Sequence, residues 1–136
     1  MYRTRSAVLS TSPTLIRAHS LLFVYVGVPR DLRLPLVLPR TYGSTQRVLP
    51  GDTVYVSDSG NGTVMCAEHL RLRHPRCIMS PCDYSSMGFA TPAAIGAAIA
   101  KPQRPVVATV GDGAFMMTGL ELATAVHHKV RSNCIL

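Results

Sequence analysis

The chain has 136 residues, of which 47% are hydrophobic and 15% are charged. This composition excludes an intrinsically disordered protein, and the length excludes a full multidomain enzyme within this chain. The longest apolar runs, such as Leu21–Val28, have eight residues, whereas a membrane-spanning helix needs about 20, so we expect no bilayer span.

The net charge of +7 lies mainly in the first third of the chain. Residues 1–50 carry a net charge of +6, and residues 51–136 carry +1. A basic segment can attract nucleic acid, but these arginines are scattered and no recognition motif accompanies them. Nucleic-acid binding is therefore an alternative hypothesis and not the leading one.

The four cysteines have irregular spacings and form no Cys-x-x-Cys pair. Cys66 with His69, and His74 with Cys77, have zinc-like intervals, but only four residues separate the two pairs, where a zinc finger has about a dozen. Buried or free thiols in a reducing compartment are the favoured interpretation. We therefore expect a cytoplasmic protein.

Residues 1–43 show neither a helical nor a strand period, and half of the ten prolines lie within the first 50 residues. We expect an irregular Arg- and Pro-rich leader without a stable core. A transit peptide and a secretion signal both match superficially, so organellar targeting is one interpretation. A non-native leader on a truncated gene model is another.

Beyond this segment, predicted strands and helices alternate as in βαβ units. This alternation predicts a second, folded region over residues 44–136. Thr53–Ser57 is rich in β-branched and aromatic residues and predicts a strand, which runs into the Gly-rich loop Asp58–Gly62. Thr63–Leu72 has apolar residues at helical spacing and predicts a helix.

The remaining elements continue the alternation. Thr91 before Pro92 is typical of a helix N-cap, and small apolar residues follow it. Pro105–Val110 predicts a buried strand, and Gly111–Gly113 predicts a loop. Thr118–His127 predicts a helix that buries one face. That face is formed by Leu120, Ala123 and Val126 or His127.

A further strand begins at Asn133 and is expected to pair beside Pro105–Val110. Strands that alternate with helices indicate an α/β fold with a parallel sheet flanked by helices. The chain ends three residues later, so we expect a truncated form of that fold. Apolar side chains would then stay partly exposed and favour self-association: Met116, Met117, Leu120 and Ile135.

The segment Val106–Phe115 contains the most informative chemistry. A buried strand delivers Gly111, Asp112 and Gly113 to its carboxyl end, where open parallel sheets bind ligands. Glycines allow backbone N–H groups to approach phosphate oxygens, and a carboxylate can bind Mg²⁺. The tripeptide alone also fits a tight turn with a solvated aspartate.

The sequence around Gly111–Gly113 favours a ligand-binding loop over a tight turn with a solvated aspartate. SSMGFATPAAIGAA over residues 85–98 is followed by PVVATVGDGAFMMTGLELATA over residues 105–125. Together with QRVLPGDTV at 46–54 and DSGNGT at 58–63, this resembles the pyrophosphate-binding domain of thiamine diphosphate enzymes of the acetolactate synthase-like branch. The resemblance implies a carboligase or 2-oxo acid decarboxylase that uses thiamine diphosphate and Mg²⁺.

The resemblance implies a role for each matching residue. Asp112 would be a Mg²⁺ ligand, and the backbone around Gly111, Gly113 and Ala114 would contact the diphosphate. Asn61 and Gly62 would lie near the same diphosphate, although Asn61-Gly62 replaces the Gln-His pair that is common in acetolactate synthases.

Two residues would contact the organic part of the cofactor. Met87 would be the hydrophobic prop that holds the cofactor in its V shape, with core packing as the alternative role for a methionine. The carbonyl of Ser85 would accept a hydrogen bond from the aminopyrimidine.

The resemblance also identifies what this chain lacks. The second metal ligand of the family is an Asn about 25 to 30 residues after Gly-Asp-Gly; Asn133 comes 20 residues after Gly113, so that ligand is expected beyond Leu136. The pyrimidine-binding domain and its activating glutamate would come from the same or another subunit of a homo-oligomer. We therefore assign no catalytic residue, and an inactive remnant is a further alternative.

Overall fold

The computed structural model describes residues 23–24, 37–130 and 133–135, with side chains over residues 42–130. The helices and strands alternate along most of this chain. In order they are β1 Phe23–Val24, α1 Val37–Val48, β2 Val54–Ser57, α2 Asn61–His69, β3 Ile78–Met79, α3 Ala90–Ala100, β4 Val106–Thr109, α4 Asp112–Thr118, a 3-10 turn Gly119–Glu121, α5 Leu122–His127 and β5 Asn133–Ile135.

The described strands form one parallel sheet in the order β1-β5-β4-β2-β3. At its centre, Val54 pairs with Val106 and Ser57 with Thr109, so β2 and β4 run side by side over their full length. All residues of both strands are buried. The α/β prediction and the pairing of the strand at Asn133 with β4 are confirmed.

The two faces of this sheet pack against different helices because side chains alternate along a strand. On one face, Val56 and Ala108 belong to a core cluster with Ala94 of α3. On the other, Tyr55 and Val107 pack with Tyr42 of α1 and with side chains of α2. The sheet is therefore covered on both sides, as a parallel sheet requires.

The packed part of the chain begins earlier than the sequence predicts. Helix α1 starts at Val37, and Tyr42 within it is 1% exposed in the core. Strand β1 at Phe23–Val24 pairs with β5. The expectation of an irregular leader over residues 1–43 is therefore wrong for these two segments, and the rest of that leader lies outside the described residues.

Helix α3 does not begin as the sequence predicts. It starts at Ala90, so Thr91 is its second residue and not its N-cap. The Thr91 hydroxyl is buried and has no hydrogen-bond partner among the described residues. The Asp58 carboxylate accepts the Ala90 N–H instead, and an acceptor from a different element could not be read from the local sequence.

The region around Thr118 also differs from the prediction. Helix α4 begins at Asp112, inside the expected loop, and the 3-10 turn over Gly119–Glu121 separates it from α5. This turn changes which face points inward, so Leu120 is 93% exposed and Ala125 is the buried residue of α5. The buried face predicted for Leu120, Ala123 and Val126 or His127 is therefore wrong.

Helix α2 ends at His69 and not at Leu72, because Leu70 already has extended backbone angles. Met116, Met117 and Leu120 are exposed. The exposure expected for Ile135 lies outside the described side chains. Among the described helices, none is long and apolar enough to cross a membrane.

Replacing Thr91 with Val should raise the free energy of unfolding by about 1 kcal/mol, because the variant removes a buried hydroxyl that makes no hydrogen bond within the described part of the chain. Urea titration followed by circular dichroism measures the change. Thr124→Val, at an exposed threonine of α5, is the control and should change stability by less than about 0.5 kcal/mol. A clear loss of stability in the Thr91 variant would contradict this account.

Candidate functional site

The candidate site lies at the carboxyl edge of the sheet, where β2 and β4 end side by side. Residues 58–62 follow β2, and residues 110–113 follow β4. The loop that leads into α3 is bonded to the end of β2. Three segments that are far apart in the sequence therefore meet at one edge, the position at which open parallel sheets bind ligands.

Asp58 connects two of these segments. It is 1% exposed, and its Oδ1 accepts hydrogen bonds from the N–H groups of Ser59 and Gly88, each at 2.9 Å. Its Oδ2 accepts the N–H of Ala90 at 2.7 Å. A buried carboxylate is stable when hydrogen bonds replace its lost hydration. Asp58 thus fixes the start of α3 against the end of β2.

Sequence reasoning placed Asp58 at the start of a Gly-rich loop but gave it no role. The available signal was an acidic residue directly after a strand of apolar and β-branched residues. An aspartate at that point is either exposed to solvent or buried beside hydrogen-bond donors. The sequence does not identify the donors Gly88 and Ala90, which lie 30 and 32 residues away.

Gly88 joins the same loop to α4. Its φ is +83°, a backbone conformation that favours glycine. The Thr118 hydroxyl donates to the Gly88 carbonyl at 2.9 Å. A Cβ added at Gly88 would lie 2.9 Å from Thr118 Cγ2, so the two segments pack too closely for a side chain.

The structure places Met87 beside the Gly-Asp-Gly segment. Its terminal methyl lies 3.3 Å from the position that a Cβ on Gly113 would occupy. The Met87 side chain is 51% exposed and belongs to neither core cluster. Core packing is therefore not its role within the described part of the chain. Ser85, two residues earlier, is exposed and has a φ of +50°.

Asp112 is the first residue of α4 and is exposed. Its Oδ1 accepts the Gly113 N–H at 2.8 Å, and its Oδ2 makes no hydrogen bond within the described residues. Apart from its chain neighbours, a Cβ added at Gly111 would meet no atom of the described residues within 4 Å, so the space beside the backbone there is open. Ala114 is 3% exposed and belongs to a core cluster, so its contact with the diphosphate stays a prediction.

Asn61 and Gly62 occupy the first turn of α2, directly after β2. Asn61 is exposed, and outside its own helix backbone and chain neighbours a Cβ added at Gly62 would meet no atom of the described residues within 4 Å. The turn is entered through Gly60, whose φ is +94°. The Thr63 hydroxyl donates to the Asp58 carbonyl and holds the turn to the end of β2.

Tyr42 reaches the same region from α1. Its hydroxyl lies 3.2 Å from the Gly62 carbonyl oxygen and 3.1 Å from Thr109 Oγ1. Burial raises the pKa of the Tyr42 phenol above its ordinary value, so the group keeps its proton for hydrogen bonding. Sequence reasoning missed this residue because it lay in the expected leader.

The zinc-like spacings do not produce a metal centre in the part of the chain that the structure describes. No three His, Cys, Asp or Glu side chains there are close enough to hold a metal ion together. Cys66 and Cys77 are buried free thiols, and Cys82 is an exposed one. Burial raises the pKa of the Cys66 thiol, which keeps it in the unreactive protonated form.

Comparison with known proteins agrees with this geometry. Residues 58–136 match the model of the C-terminal thiamine pyrophosphate-binding domain of thiamine pyrophosphate enzymes. The chain belongs to this family. A solved structure described as a thiamin diphosphate-dependent enzyme from Mycobacterium smegmatis superposes with a TM-score of 0.65 at 27% identity, over 75% of this chain and 20% of the other.

Curated relatives of this family member include two kinds of enzyme. Sulfoacetaldehyde acetyltransferase of Alcaligenes xylosoxydans is 35% identical over 62% of the chain. The acetolactate synthase large subunit of Lactococcus lactis is 40% identical, and the acetolactate synthase of Mycobacterium bovis 44% identical, each over 54% of the chain. The matched segments span 12% to 14% of these relatives' lengths.

Replacing Asp58 with Asn should lower the free energy of unfolding by about 2–4 kcal/mol, because an amide NH₂ cannot accept the backbone N–H that one carboxylate oxygen accepts now. Chemical denaturation measures the loss. Asp83→Asn, at an exposed aspartate, is the matched control and should stay within about 0.5 kcal/mol of wild type. Equal stability of the two variants would refute the role of Asp58.

Two glycine substitutions should change stability in opposite directions. Gly88→Ala should cost about 1–3 kcal/mol, because the positive φ and the contact with Thr118 both disfavour a Cβ. Gly96→Ala should add about 0.5–1 kcal/mol, because Gly96 lies in α3 with open space around its Cβ position. Thermal melts of both variants test the pair, and a stable Gly88→Ala chain would contradict the close packing.

Proposed function

We propose that this chain supplies the diphosphate- and metal-binding part of a thiamine diphosphate-dependent carboligase or 2-oxo acid decarboxylase of the acetolactate synthase-like branch. The main supporting observation is the arrangement at the carboxyl edge of the sheet. The exposed carboxylate of Asp112 follows β4, and Met87 lies against Gly113. Met87 lies in the loop that Asp58 holds through the N–H groups of Gly88 and Ala90.

The residues present fit a diphosphate with Mg²⁺. Asp112 offers a hard carboxylate oxygen that makes no bond within the described residues, which is the donor type Mg²⁺ prefers. Gly62 and Gly111 leave open space beside the backbone at the ends of β2 and β4. Phosphate oxygens can approach N–H groups at such positions.

Residues 85–87 fit the organic part of the cofactor. Met87 presents an exposed apolar side chain at the edge of the site and would support the two rings from below. The Ser85 carbonyl would accept the hydrogen bond of the aminopyrimidine. Bound thiamine diphosphate supplies carbanion stabilisation, and the residues of this chain orient and hold it.

The complete activity would require parts outside this chain. We propose that a second metal ligand and a pyrimidine-binding domain, from the same or another subunit of a homo-oligomer, complete the site. The relatives support this division, because the matched region is about one seventh of their length.

Asp112→Asn should weaken binding of thiamine diphosphate in the presence of Mg²⁺ by roughly 10- to 100-fold, because a neutral amide replaces the carboxylate oxygen that Mg²⁺ prefers and metal affinity falls by at least as much as when a ligand's supporting group is lost. Isothermal titration of the full chain measures the affinity. Chelation of Mg²⁺ should lower the affinity of the wild-type chain for thiamine diphosphate to that of the variant.

The matched control for this titration is Glu68→Gln, because Glu68 is an exposed acid of α2 near the end remote from the site. Its affinity should equal that of the wild type. If Asp112→Asn binds as tightly as the wild type, the metal role of Asp112 is wrong. If the wild-type chain shows no binding at all, the proposed function is wrong for this chain.

A further inference from the structure

Helix α1 lies outside the residues that match the family model, yet it reaches the proposed cofactor site. The match covers residues 58–136, and α1 spans Val37–Val48. Tyr42 of this helix is 1% exposed and packs on the sheet beside Tyr55 and Val107. A side chain from a preceding segment is therefore built into the core beneath the site.

The Tyr42 hydroxyl bridges the two segments that frame the site. It lies 3.2 Å from the carbonyl of Gly62, in the first turn of α2, and 3.1 Å from the hydroxyl of Thr109, the last residue of β4. A carbonyl only accepts, so the Tyr42 hydroxyl donates in its contact with Gly62. The Thr109 hydroxyl hydrogen then has two acceptors within reach, the Tyr42 hydroxyl oxygen at 3.1 Å and the Val56 carbonyl at 3.4 Å.

The first turn of α2 is held by Thr63 and by Tyr42. The Thr63 hydroxyl donates to the Asp58 carbonyl, and its N–H donates to the Gly60 carbonyl at 3.1 Å. The turn is entered through Gly60 at a φ of +94°, and no side chain among the described residues caps the helix. Because a peptide unit is planar, the Gly62 carbonyl and the Thr63 N–H turn together, so the bond from Tyr42 supports the same turn from its other side.

We infer that Tyr42 is a positioning residue that orients the first turn of α2 for the diphosphate. This inference rests on the proposed function. It adds a residue that lies outside the segment 58–136 matched by the family model. Tyr42→Phe keeps the ring and its packing and removes only the hydroxyl. The variant should bind thiamine diphosphate with Mg²⁺ about threefold to tenfold more weakly, the equivalent of one net hydrogen bond.

Gln46 provides a matched control on the same helix. Its amide donates to the Arg71 carbonyl at 3.0 Å and accepts the Arg71 N–H at 3.2 Å. This second attachment of α1 joins it to the chain beyond α2 and not to the first turn of that helix. Gln46→Ala should therefore destabilise the docking of α1 without changing the affinity for thiamine diphosphate.

The experiment compares the full wild-type chain with both variants by isothermal titration, at a temperature where circular dichroism shows all three folded. Hydrogen exchange of the amides over residues 60–64 gives a second readout that needs no cofactor. In the Tyr42→Phe variant these amides should exchange faster, and in the Gln46→Ala variant they should be unchanged.

The outcomes separate the two proposals. If the wild type and Tyr42→Phe bind equally, or if residues 60–64 exchange equally in both, the positioning role is wrong and the proposed function stands. If the two variants weaken binding to the same degree, Tyr42 acts only through docking of α1, and the inference is also wrong. If the wild-type chain binds no thiamine diphosphate, the proposed function fails and this inference fails with it.

Discussion

The buried carboxylate of Asp58 determines the geometry of the candidate site. A charge in a protein interior is costly unless donors replace its water, and here three backbone N–H groups do so. Two of these donors belong to the loop and first residue of α3. The end of β2 and the start of α3 therefore cannot separate without leaving a buried charge unpaired. Met87, which precedes Gly88, is held beside Gly113 as a consequence.

Packing on both faces of the sheet supports this arrangement. Small side chains of α3, such as Ala94, allow the helix to lie close to Val56 and Ala108 on one face. On the other face Tyr42 brings α1 onto α2 and the sheet. On each face, one side chain ties a helix to the edge where the cofactor is proposed to bind. Asp58 accepts the N–H of Ala90 at the start of α3, and the Tyr42 hydroxyl contacts the Gly62 carbonyl in the first turn of α2.

The sequence predicted those features that depend on local pattern. The strands β2 and β4 follow from β-branched and apolar runs, and the position of Asp112 follows from a Gly-Asp-Gly segment after such a strand. Features that depend on distant partners were not predictable. Thr91 has the residue type of an N-cap, but an acceptor 32 residues away takes the Ala90 N–H. Tyr42 was assigned to a leader because its partners lie 20 and 67 residues further along the chain.

We propose that Asp58 organises the site and that Asp112 binds the metal. A crystal structure of the chain with thiamine diphosphate and Mn²⁺, in which anomalous scattering locates the metal, tests this division most directly. The account predicts Mn²⁺ bound to the Asp112 carboxylate, with Asp58 still accepting the N–H groups of Gly88 and Ala90. Mn²⁺ bound to Asp58, or located away from the carboxyl edge of the sheet, would contradict it.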